Sequence, residues 1–352
     1  MRLIIPVRVM ESVMSVSRSS RIIAIAGVFA AAFAGPAASQ EDFYKGKTIT
    51  IVTSTGPGGV YDLVARLTAR HMGKYLAGAP NLVVVNMPGA GNMLAANYMY
   101  EVAPKDGTSI AVFNNAVPLN QVLDGRGVRF DASKFNWIGS TGGRNEAVFA
   151  FRTAGVLTLE ELRSKELVVG STAPGSSIAI YPTVMYNMLG AKFRIVHGYK
   201  SSTEVFLAME RGEVNARSGS LASISAGFQK WLDEQRLVFF AQVGSKRDKD
   251  LPDVPLLTDL ARNEEERRVL ALISSPAELG QPYLAPPGVS SVRVQQLREA
   301  FSKSLRDSDF MTEAKRAQVD LDPISGEAIS KIVYDVVHAP EHVVAAARNA
   351  LK

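Results

Sequence analysis

The chain has 352 residues, of which 47% are hydrophobic and 21% charged, the composition of a globular protein large enough for two domains. It contains no cysteine, which excludes a disulfide framework, thiolate chemistry and cysteine-based metal sites. The net charge is +5, but the first 39 residues hold four arginines and one glutamate, so only about +2 remains for the rest. This balance gives no support to a nucleic-acid partner.

The N-terminal segment has the pattern of a secretory signal peptide. Arg18 and Arg21 precede an apolar run at residues 22–33, and the small residues Ala37 and Ser39 follow at the spacing of a cleavage site. The apolar run is too short to span a bilayer comfortably. We therefore expect residues 1–39 to be removed on export, which places the mature protein in a Gram-negative periplasm.

Strands and helices alternate after the predicted cleavage site. Runs rich in β-branched and apolar residues at positions 48–54, 81–86 and 108–114 predict three buried strands. Apolar residues at helical spacing predict helices between them, beginning near Val60 and at Met93. This βαβαβ order predicts a parallel sheet with helices on its faces.

A second unit repeats the same alternation. Further predicted elements are strands at 166–171, 192–198, 214–219 and 236–244, and helices at 178–189, 203–211, 290–305, 310–317 and 326–352, the last interrupted by Pro340. We expect an α/β fold with two lobes of discontinuous sequence. Residues 40–141 start lobe 1, 142–265 form lobe 2, and 266–352 complete lobe 1 with C-terminal helices packed on it.

Glycine-rich turns join a strand to a helix early in each unit, as TGPGG at residues 55–59 and GSTAPGSS at 170–177. The first N–H groups of a helix lack intrahelical partners and carry the positive end of the macrodipole, so an anion fits there. Glycine lets the backbone approach a ligand closely. Turns of this kind lie at the carboxyl ends of strands, where open α/β sheets bind their ligands.

Three more specific fingerprints do not match these turns. A P-loop requires Lys and then Ser or Thr after its last glycine, whereas Val60 and Tyr61 follow Gly59. The stretch GAGNML at residues 89–94 lacks the third glycine of a dinucleotide site, and GSTAPGSS does not contain Gly-x-Ser-x-Gly. For GAGN, a simple tight turn and an anion site are equally good interpretations.

The four histidines offer little for catalysis or metal binding. His338 and His342 have metal-ligand spacing, but Pro340 lies between them and no third ligand is evident. His71 falls on an apolar helix face, and His197 ends a strand and could line a cleft. We expect no metal, no cofactor and no catalytic residue. The alternative, an exported α/β enzyme acting on a carboxylated substrate, would need His197 or an unassigned carboxylate as its base.

Several motifs resemble those of the periplasmic substrate-binding receptors of tripartite tricarboxylate transporters, also called Bug-type receptors. The hallmark, a strand followed by Pro-Gly-Gly-x-x-Asp and Ala-Arg, is present as Pro57, Gly58, Gly59, Asp62, Ala65 and Arg66. The next block matches NMPGAGN at residues 86–92 and the Pro-Asp-Gly region at 104–107. LPDVP at 251–255 and LAPPGV at 284–289 follow in the family's order.

The resemblance implies a two-lobed, Venus-flytrap receptor with a type II-like periplasmic-binding-protein fold. Such a receptor captures a small organic carboxylate in the cleft between its lobes and delivers it to the membrane permease subunits of the transporter. We expect a monomer with no nucleic-acid partner. A ligand-sensing receptor for a membrane signalling partner would use the same cleft and is a second alternative.

The ligand is expected to bind mainly to backbone N–H groups and hydroxyls of the two turns. The predicted ligand-binding residues are Thr55, Gly56, Pro57, Gly58, Gly59, Tyr61 and Asp62 in the first turn, Asn114 and Asn115 after the third strand, and Ser171, Thr172, Ala173, Gly175, Ser176 and Ser177 in the second turn.

Overall fold

The computed structural model describes residues 43–123, 125, 127–142 and 145–352, without the side chains of residues 222, 223 and 226. The predicted signal peptide lies outside the described residues. Tyr44–Lys352 forms a compact unit that contains two mixed β-sheets with helices packed against them, which confirms the two-lobed α/β fold. Within the described ranges, the helices are all too short or too polar to cross a membrane.

The elements of the first part of the chain belong to sheet 1 and its helices, which we call lobe 1. They are β1 (Thr48–Thr53), α1 (Val60–His71), β2 (Asn81–Asn86), α2 (Met93–Glu101), β3 (Ser109–Val112), α3 (Val117–Leu123) and β4 (Asn136–Ser140).

The middle of the chain forms sheet 2 and its helices, which we call lobe 2. Its elements are β5 (Glu146–Phe151), α4 (Leu159–Leu162), β6 (Leu167–Gly170), α5 (Ser177–Leu189), β7 (Phe193–Val196), α6 (Ser202–Glu210), β8 (Ala216–Ser220), α7 (Leu221–Asp233), β9 (Leu237–Val243) and α8 (Glu264–Ser274).

The chain then returns to sheet 1. The last elements are β10 (Pro282–Ala285), α9 (Ser291–Ser304), α10 (Ser308–Arg316), β11 (Ile324–Ser325), α11 (Gly326–Val337) and α12 (Glu341–Ala350).

Sheet 1 has the order β11-β4-β10-β3-β1-β2. β1 pairs in parallel with β2 and β3, which confirms the predicted βαβαβ unit. β10 lies antiparallel between β3 and β4, and β11 is antiparallel to β4. The sequence analysis missed β4, β10 and β11 because all three are short, and β4 and β10 also contain Asn136, Gly139 or Pro282, residues that strands disfavour.

Sheet 2 has the order β7-β6-β8-β5-β9. β6 pairs in parallel with β7 and β8, and β5 runs antiparallel to β8 and β9. The carboxyl ends of β6, β7 and β8 and the amino end of β5 therefore lie at one edge. That edge carries the residues of lobe 2 that matter for ligand binding.

The two faces of sheet 2 are covered by different helices. On one face, Val148 of β5 packs in a cluster with Tyr181 of α5 and Leu270 of α8. On the other face, Phe149 of β5 packs in a cluster with Phe206 of α6. Because successive strand residues point to opposite faces, α5 and α6 reach the edge of the sheet from opposite sides.

The C-terminal helices divide between the two lobes. α9 and α11 contact β4, and α10 contacts α1. α12 contacts α8 and α5 of lobe 2 and also α3 of lobe 1, and Val344 and Ala347 join a buried cluster that includes Leu119 of α3 and Leu270 of α8, so this last helix packs against elements of both lobes. Pro340, the residue before α12, separates α12 from α11 and lets the chain change direction.

α8 also joins the lobe 2 core, although the predicted boundary assigned residues from 266 onward to lobe 1.

We expect Leu270→Ala to lower the free energy of unfolding by about 2–5 kcal/mol. Leu270 lies on α8 and is fully buried against other residues of the lobe 2 core, so the shorter side chain would leave a cavity. Leu207→Ala is the matched control, since Leu207 lies on α6 with 41% of its surface exposed, and it should cost less than about 1 kcal/mol. Chemical denaturation measures both values. Equal losses in the two variants would contradict the placement of α8 in the core of lobe 2.

Candidate functional site

A cavity of about 390 Å³ lies where the ends of strands from both sheets come together. Its wall is built from the segments that follow β1, β2 and β3 in lobe 1 and from those that follow β6 and β7 in lobe 2. The end of β8 and Glu146, the first residue of β5, complete the lobe 2 side. The cavity therefore lies at the carboxyl ends of strands, where open α/β sheets bind ligands, and in this protein both sheets contribute to its wall.

The first predicted turn is shaped by Asp62, the third residue of α1. Its carboxylate accepts hydrogen bonds from Gly58 N–H (3.0 Å), from the guanidinium of Arg66 (2.9 and 3.0 Å) and from the amide of Asn86 (3.0 Å). Gly58 has φ +80°, a conformation that glycine adopts without strain. Asp62 therefore fixes the turn and lies outside the cavity wall, and its role in ligand binding stays a prediction.

The second predicted turn is tied together by its own hydroxyls. Ser176 Oγ donates to Ala173 O at 2.7 Å, and Ser171 Oγ lies 3.3 Å from the same carbonyl oxygen. Gly175 O accepts a hydrogen bond from the Asn120 amide at 2.6 Å. Ser171, Gly175 and Ser176 are used in this way and lie outside the wall.

Ten of the predicted ligand-binding residues do line the cavity. They are Thr55, Gly56, Pro57, Gly59, Tyr61, Asn114, Asn115, Thr172, Ala173 and Ser177. The residues placed outside the wall are Gly58, Asp62, Ser171, Gly175 and Ser176, together with His197, which had been considered as a general base.

Of the helices that begin at the cavity, α1, α2 and α5 lack a side-chain cap, whereas α6 has one. α4, α6, α8, α9, α10 and α11 each have an N-cap side chain that accepts a hydrogen bond from the first turn. α1, α2 and α5 have no such side-chain cap, although Ser176 and Asn92 precede two of them. Ala179 N–H donates to Ser176 O at 2.9 Å, so the N–H groups of α5 that face the cavity for another acceptor are those of Ser177 and Ile178.

Contacts across the cleft pair each predicted turn with a segment that the sequence analysis did not select. Thr203 Oγ1 at the start of α6 donates to Gly58 O at 2.5 Å, and a Cβ on Gly56 would lie 3.0 Å from Lys200 O. On the other side, the turn at Gly175 adjoins Gly91 of the GAGN segment. The lobes are therefore in direct contact on both sides of the cleft.

The GAGN segment takes part in the cavity wall. Gly89, Ala90, Gly91 and Asn92 all line it, and all four have positive φ, which is unusual for Ala90 and Asn92. Strained backbone of this kind is often found at binding sites. The sequence left two interpretations of the GAGN segment open, a simple tight turn and an anion site. The segment is part of the cavity wall and therefore does more than turn the chain.

A buried polar pair joins the two lobes at the cavity. The amide of Asn115 donates to Glu146 Oε1 at 2.8 Å, and Asn115 N–H donates to the Tyr61 hydroxyl at 3.1 Å. Asn115 and Glu146 are each only 3% exposed, and Asn115 Oδ1 and Glu146 Oε2 have no hydrogen bond of good geometry. Burial raises the pKa of Glu146, outweighing hydrogen bonds from Asn115 and Ser177 and the nearby charge of Arg217, which lower it.

Glu146, Lys200 and Arg217 are the charged wall residues of lobe 2 that the sequence analysis did not find as site residues. Glu146 begins β5, a strand that was not predicted. Arg217 lies in the predicted strand at 214–219, where it is the one charged residue among small neighbours. A lone arginine in a predicted strand of otherwise uncharged residues was the available signal, because strands inside a sheet are normally buried.

We expect Glu146→Gln to change the pH dependence of stability. Because the pKa of Glu146 is raised on folding, its contribution to stability is complete at pH below about 4.3 and is lost as the pH rises through the folded-state value. Glutamine cannot ionise but keeps an acceptor for Asn115. The melting temperature of the variant should therefore rise relative to wild type between pH 5 and 8.5.

The control for this measurement is Glu299→Gln, because Glu299 is an exposed carboxylate on α9. Its melting temperature should follow that of the wild type at every pH. A difference between Glu146→Gln and wild type that does not vary with pH would contradict the assigned burial of an ionisable carboxyl group.

Comparison with known proteins gives the family and the fold. The profile of the tripartite tricarboxylate transporter family receptor matches residues 64–347. A curated relative from Cupriavidus necator, the UPF0065 protein in the gbd 5′ region, is 27% identical over 296 residues, which are 82% of this chain and 83% of the relative.

Two solved structures have the same fold. The periplasmic binding protein BugD superimposes with a TM-score of 0.68 at 18% identity, covering 86% of this chain and 97% of its own. MatC from Rhodopseudomonas palustris with bound malate has a TM-score of 0.66 at 20% identity, covering 84% and 98%. These proteins are substrate-binding receptors and not enzymes. The chain belongs to the tripartite tricarboxylate transporter receptor family of solute-binding proteins.

Proposed function

We propose that the protein captures a small organic carboxylate in the 390 Å³ cavity and holds it by backbone N–H groups at the start of α1 and α5. The observation that carries this proposal is that both helix N-termini border one cavity and lack a side-chain cap. A carboxylate oxygen is an acceptor that suits such N–H groups, and its charge is stabilised by the helix macrodipole. The malate in the related MatC structure is a ligand of this class.

The free energy that two helix N-termini contribute to anion binding is too small to explain micromolar affinity alone, so other groups of the site must contribute. A partly buried helix terminus stabilises an anion by at most about 2 kcal/mol, so two termini supply about 4. Micromolar affinity needs about 8 kcal/mol. Hydrogen bonds from Thr55, Thr172 and Ser177, which line the cavity, and the exclusion of water as the lobes close would supply the remainder.

We further propose that the protein works in the periplasm as a monomer and delivers its ligand to the membrane permease subunits of a tripartite tricarboxylate transporter. Membership of the receptor family supports this role. Two lobes that contact each other across the cleft offer a permease a surface that differs between the open and the ligand-bound receptor.

A thermal-shift panel tests the ligand class directly. Mono-, di- and tricarboxylates and acidic amino acids are compared with sugars and with inorganic cations at the same ionic strength. We expect at least one carboxylate to raise the melting temperature in a concentration-dependent manner, because a ligand that binds only the folded state stabilises it. Shifts with sugars or cations alone would contradict the proposal.

We expect Gly59→Val to weaken binding of the best carboxylate at least about 10-fold in calorimetric titration, because the side chain would stand at the N-terminus of α1 where the ligand oxygen belongs. Stability of the free protein should change by less than about 1 kcal/mol, since the φ of Gly59 is ordinary and a Cβ there meets no atom closer than 3.9 Å. Gly227→Val, outside the wall, should leave affinity unchanged. Equal affinity in both variants would remove the first turn from the site.

A further inference from the structure

Glu146 is a buried carboxyl group in the wall of the cavity, and it is hydrogen-bonded to the opposite lobe. Glu146 begins β5 in lobe 2, and its Oε1 accepts from the Asn115 amide at 2.8 Å. Asn115 follows β3 in lobe 1, where its own N–H donates to the Tyr61 hydroxyl at 3.1 Å. Both Asn115 and Glu146 are 3% exposed and line the cavity. The pair therefore belongs to the site as well as to the contact between the lobes.

The two side chains of this pair leave two oxygen atoms unpartnered in the described structure. Asn115 Oδ1 and Glu146 Oε2 are both buried and have no hydrogen bond of good geometry. An ionised carboxylate only accepts hydrogen bonds, so it can offer nothing to Oδ1 of Asn115. A neutral carboxylic acid carries one O–H donor, and Oδ1 is an unpartnered acceptor on the group that Glu146 already contacts. The hydrogen bonding of the pair is therefore better satisfied when Glu146 carries a proton.

The charged and titratable groups near Glu146 do little to stabilise its ionised form. Tyr61 on α1 and Tyr181 on α5 stay neutral, because burial raises the pKa of both hydroxyls and the charge of Glu146 raises it further. Lys200, which also lines the cavity, is exposed to solvent. The charge of Arg217 lowers the pKa of Glu146, but burial outweighs it and the pKa is raised.

Arg217 projects from the other face of sheet 2. The register pairs Arg217 with Phe149, which is three residues from Glu146, so the side chains of Arg217 and Glu146 point to opposite faces. The guanidinium of Arg217 instead donates to neutral groups, Ser202 O at 3.1 Å, Ser202 Oγ at 3.0 Å and Ser218 O at 3.0 Å. Glu146 is therefore a buried carboxyl group whose nearest cation is engaged elsewhere.

Glu146 lies beside the turn at which a ligand carboxylate is proposed to bind. Alternate residues of a strand point to one face, so Glu146 shares with Val148 the face of sheet 2 on which α5 packs. The hydroxyl of Ser177, the first residue of α5, lies close enough to Glu146 to lower its pKa by hydrogen bonding. Two carboxyl groups at one site do not readily both ionise, because each charge disfavours the other. An ionised Glu146 would therefore oppose the binding of an anion, whereas a neutral Glu146 would not.

We propose that Glu146 is protonated in the ligand-bound receptor, so that the cleft binds an organic anion and a proton together. This inference rests on the proposed function, because it assumes that an anion occupies the cavity beside α5. The proton comes from solvent and is bound at Oε2, and the hydrogen bond from Asn115 to Oε1 is kept. Where Glu146 of the free receptor is ionised, each binding event takes up one proton, so the affinity falls as the pH rises.

Isothermal titration calorimetry of the full-length mature receptor measures affinity and proton uptake together. The probe is the tightest binder among butyrate, succinate, malate, adipate and aspartate. Titrations run from about pH 6.5 to 8.5, above the ordinary carboxyl pKa of about 4, so that the carboxyl groups of the probes stay ionised. Repeating each titration in buffers of different ionisation enthalpy gives the number of protons taken up per binding event.

For the wild type, we expect the affinity to fall at least about 10-fold over this pH range, with uptake of close to one proton at its upper end. The affinity of Glu146→Gln should vary less than about 3-fold with pH, without proton uptake, because glutamine does not ionise. Glutamine offers Asn115 both an acceptor and an N–H donor, so it reproduces the hydrogen bonds of the neutral acid. Glu299→Gln, which removes an exposed carboxylate on α9, is the control and should behave as the wild type does.

An infrared difference spectrum of the wild type gives a second measurement that needs no variant. Binding of the ionised probe at the upper end of the pH range should produce the carbonyl band of a protonated carboxylic acid. This spectrum, together with the proton uptake of the wild type, decides the question if Glu146→Gln does not fold.

Binding by the wild type with a constant affinity and no proton uptake would overturn the role of Glu146 and leave the proposed function intact. Proton uptake that persists in Glu146→Gln would do the same. Failure of every probe to bind the wild type at any pH would instead overturn the proposed function. The two failures are therefore distinguishable in one set of titrations.

Discussion

The geometry of parallel strands is the constraint on which the site depends. The parallel strands of each sheet end at one edge, so the helices that follow begin there. In this protein, two such edges face one cavity, which brings together the first turns of α1, α2, α5 and α6. The donors that result are backbone N–H groups, whose position is set by the fold and not by side-chain rotamers.

The protein keeps its own acceptors away from most of these donors. Asp62 could have capped α1, but it accepts from Gly58, Arg66 and Asn86 behind the turn. Ser176 could have capped α5, but its hydroxyl donates to Ala173 O. Six other helices use Ser, Thr, Asn or Asp side chains as caps, among them α6, which also begins at the cavity, whereas α12 has no side-chain cap.

Much of this arrangement could be predicted from the sequence. β1, β2 and β3 have strong β-branched runs, and the glycines of the two turns mark where strands pass into helices. Glu146 could not be placed, because β5 was not predicted from the sequence, and its neighbour across the cleft, Asn115, lies 31 residues away. Arg217 was on a predicted strand, but a strand pattern does not tell which face meets a ligand. The sequence leaves the role of Asp62 open, because a carboxylate near a helix start can cap the backbone or shape the preceding turn, and only the fold of residues 56–59 decides between them.

A crystal structure of the receptor with a bound carboxylate tests the central claim most directly. The arrangement predicts a ligand oxygen within about 3.2 Å of a backbone nitrogen in the first turn of α1 and of α5, directly or through one ordered water. A ligand that contacts side chains alone, with both helix N-termini hydrogen-bonded to groups of the protein, would contradict it.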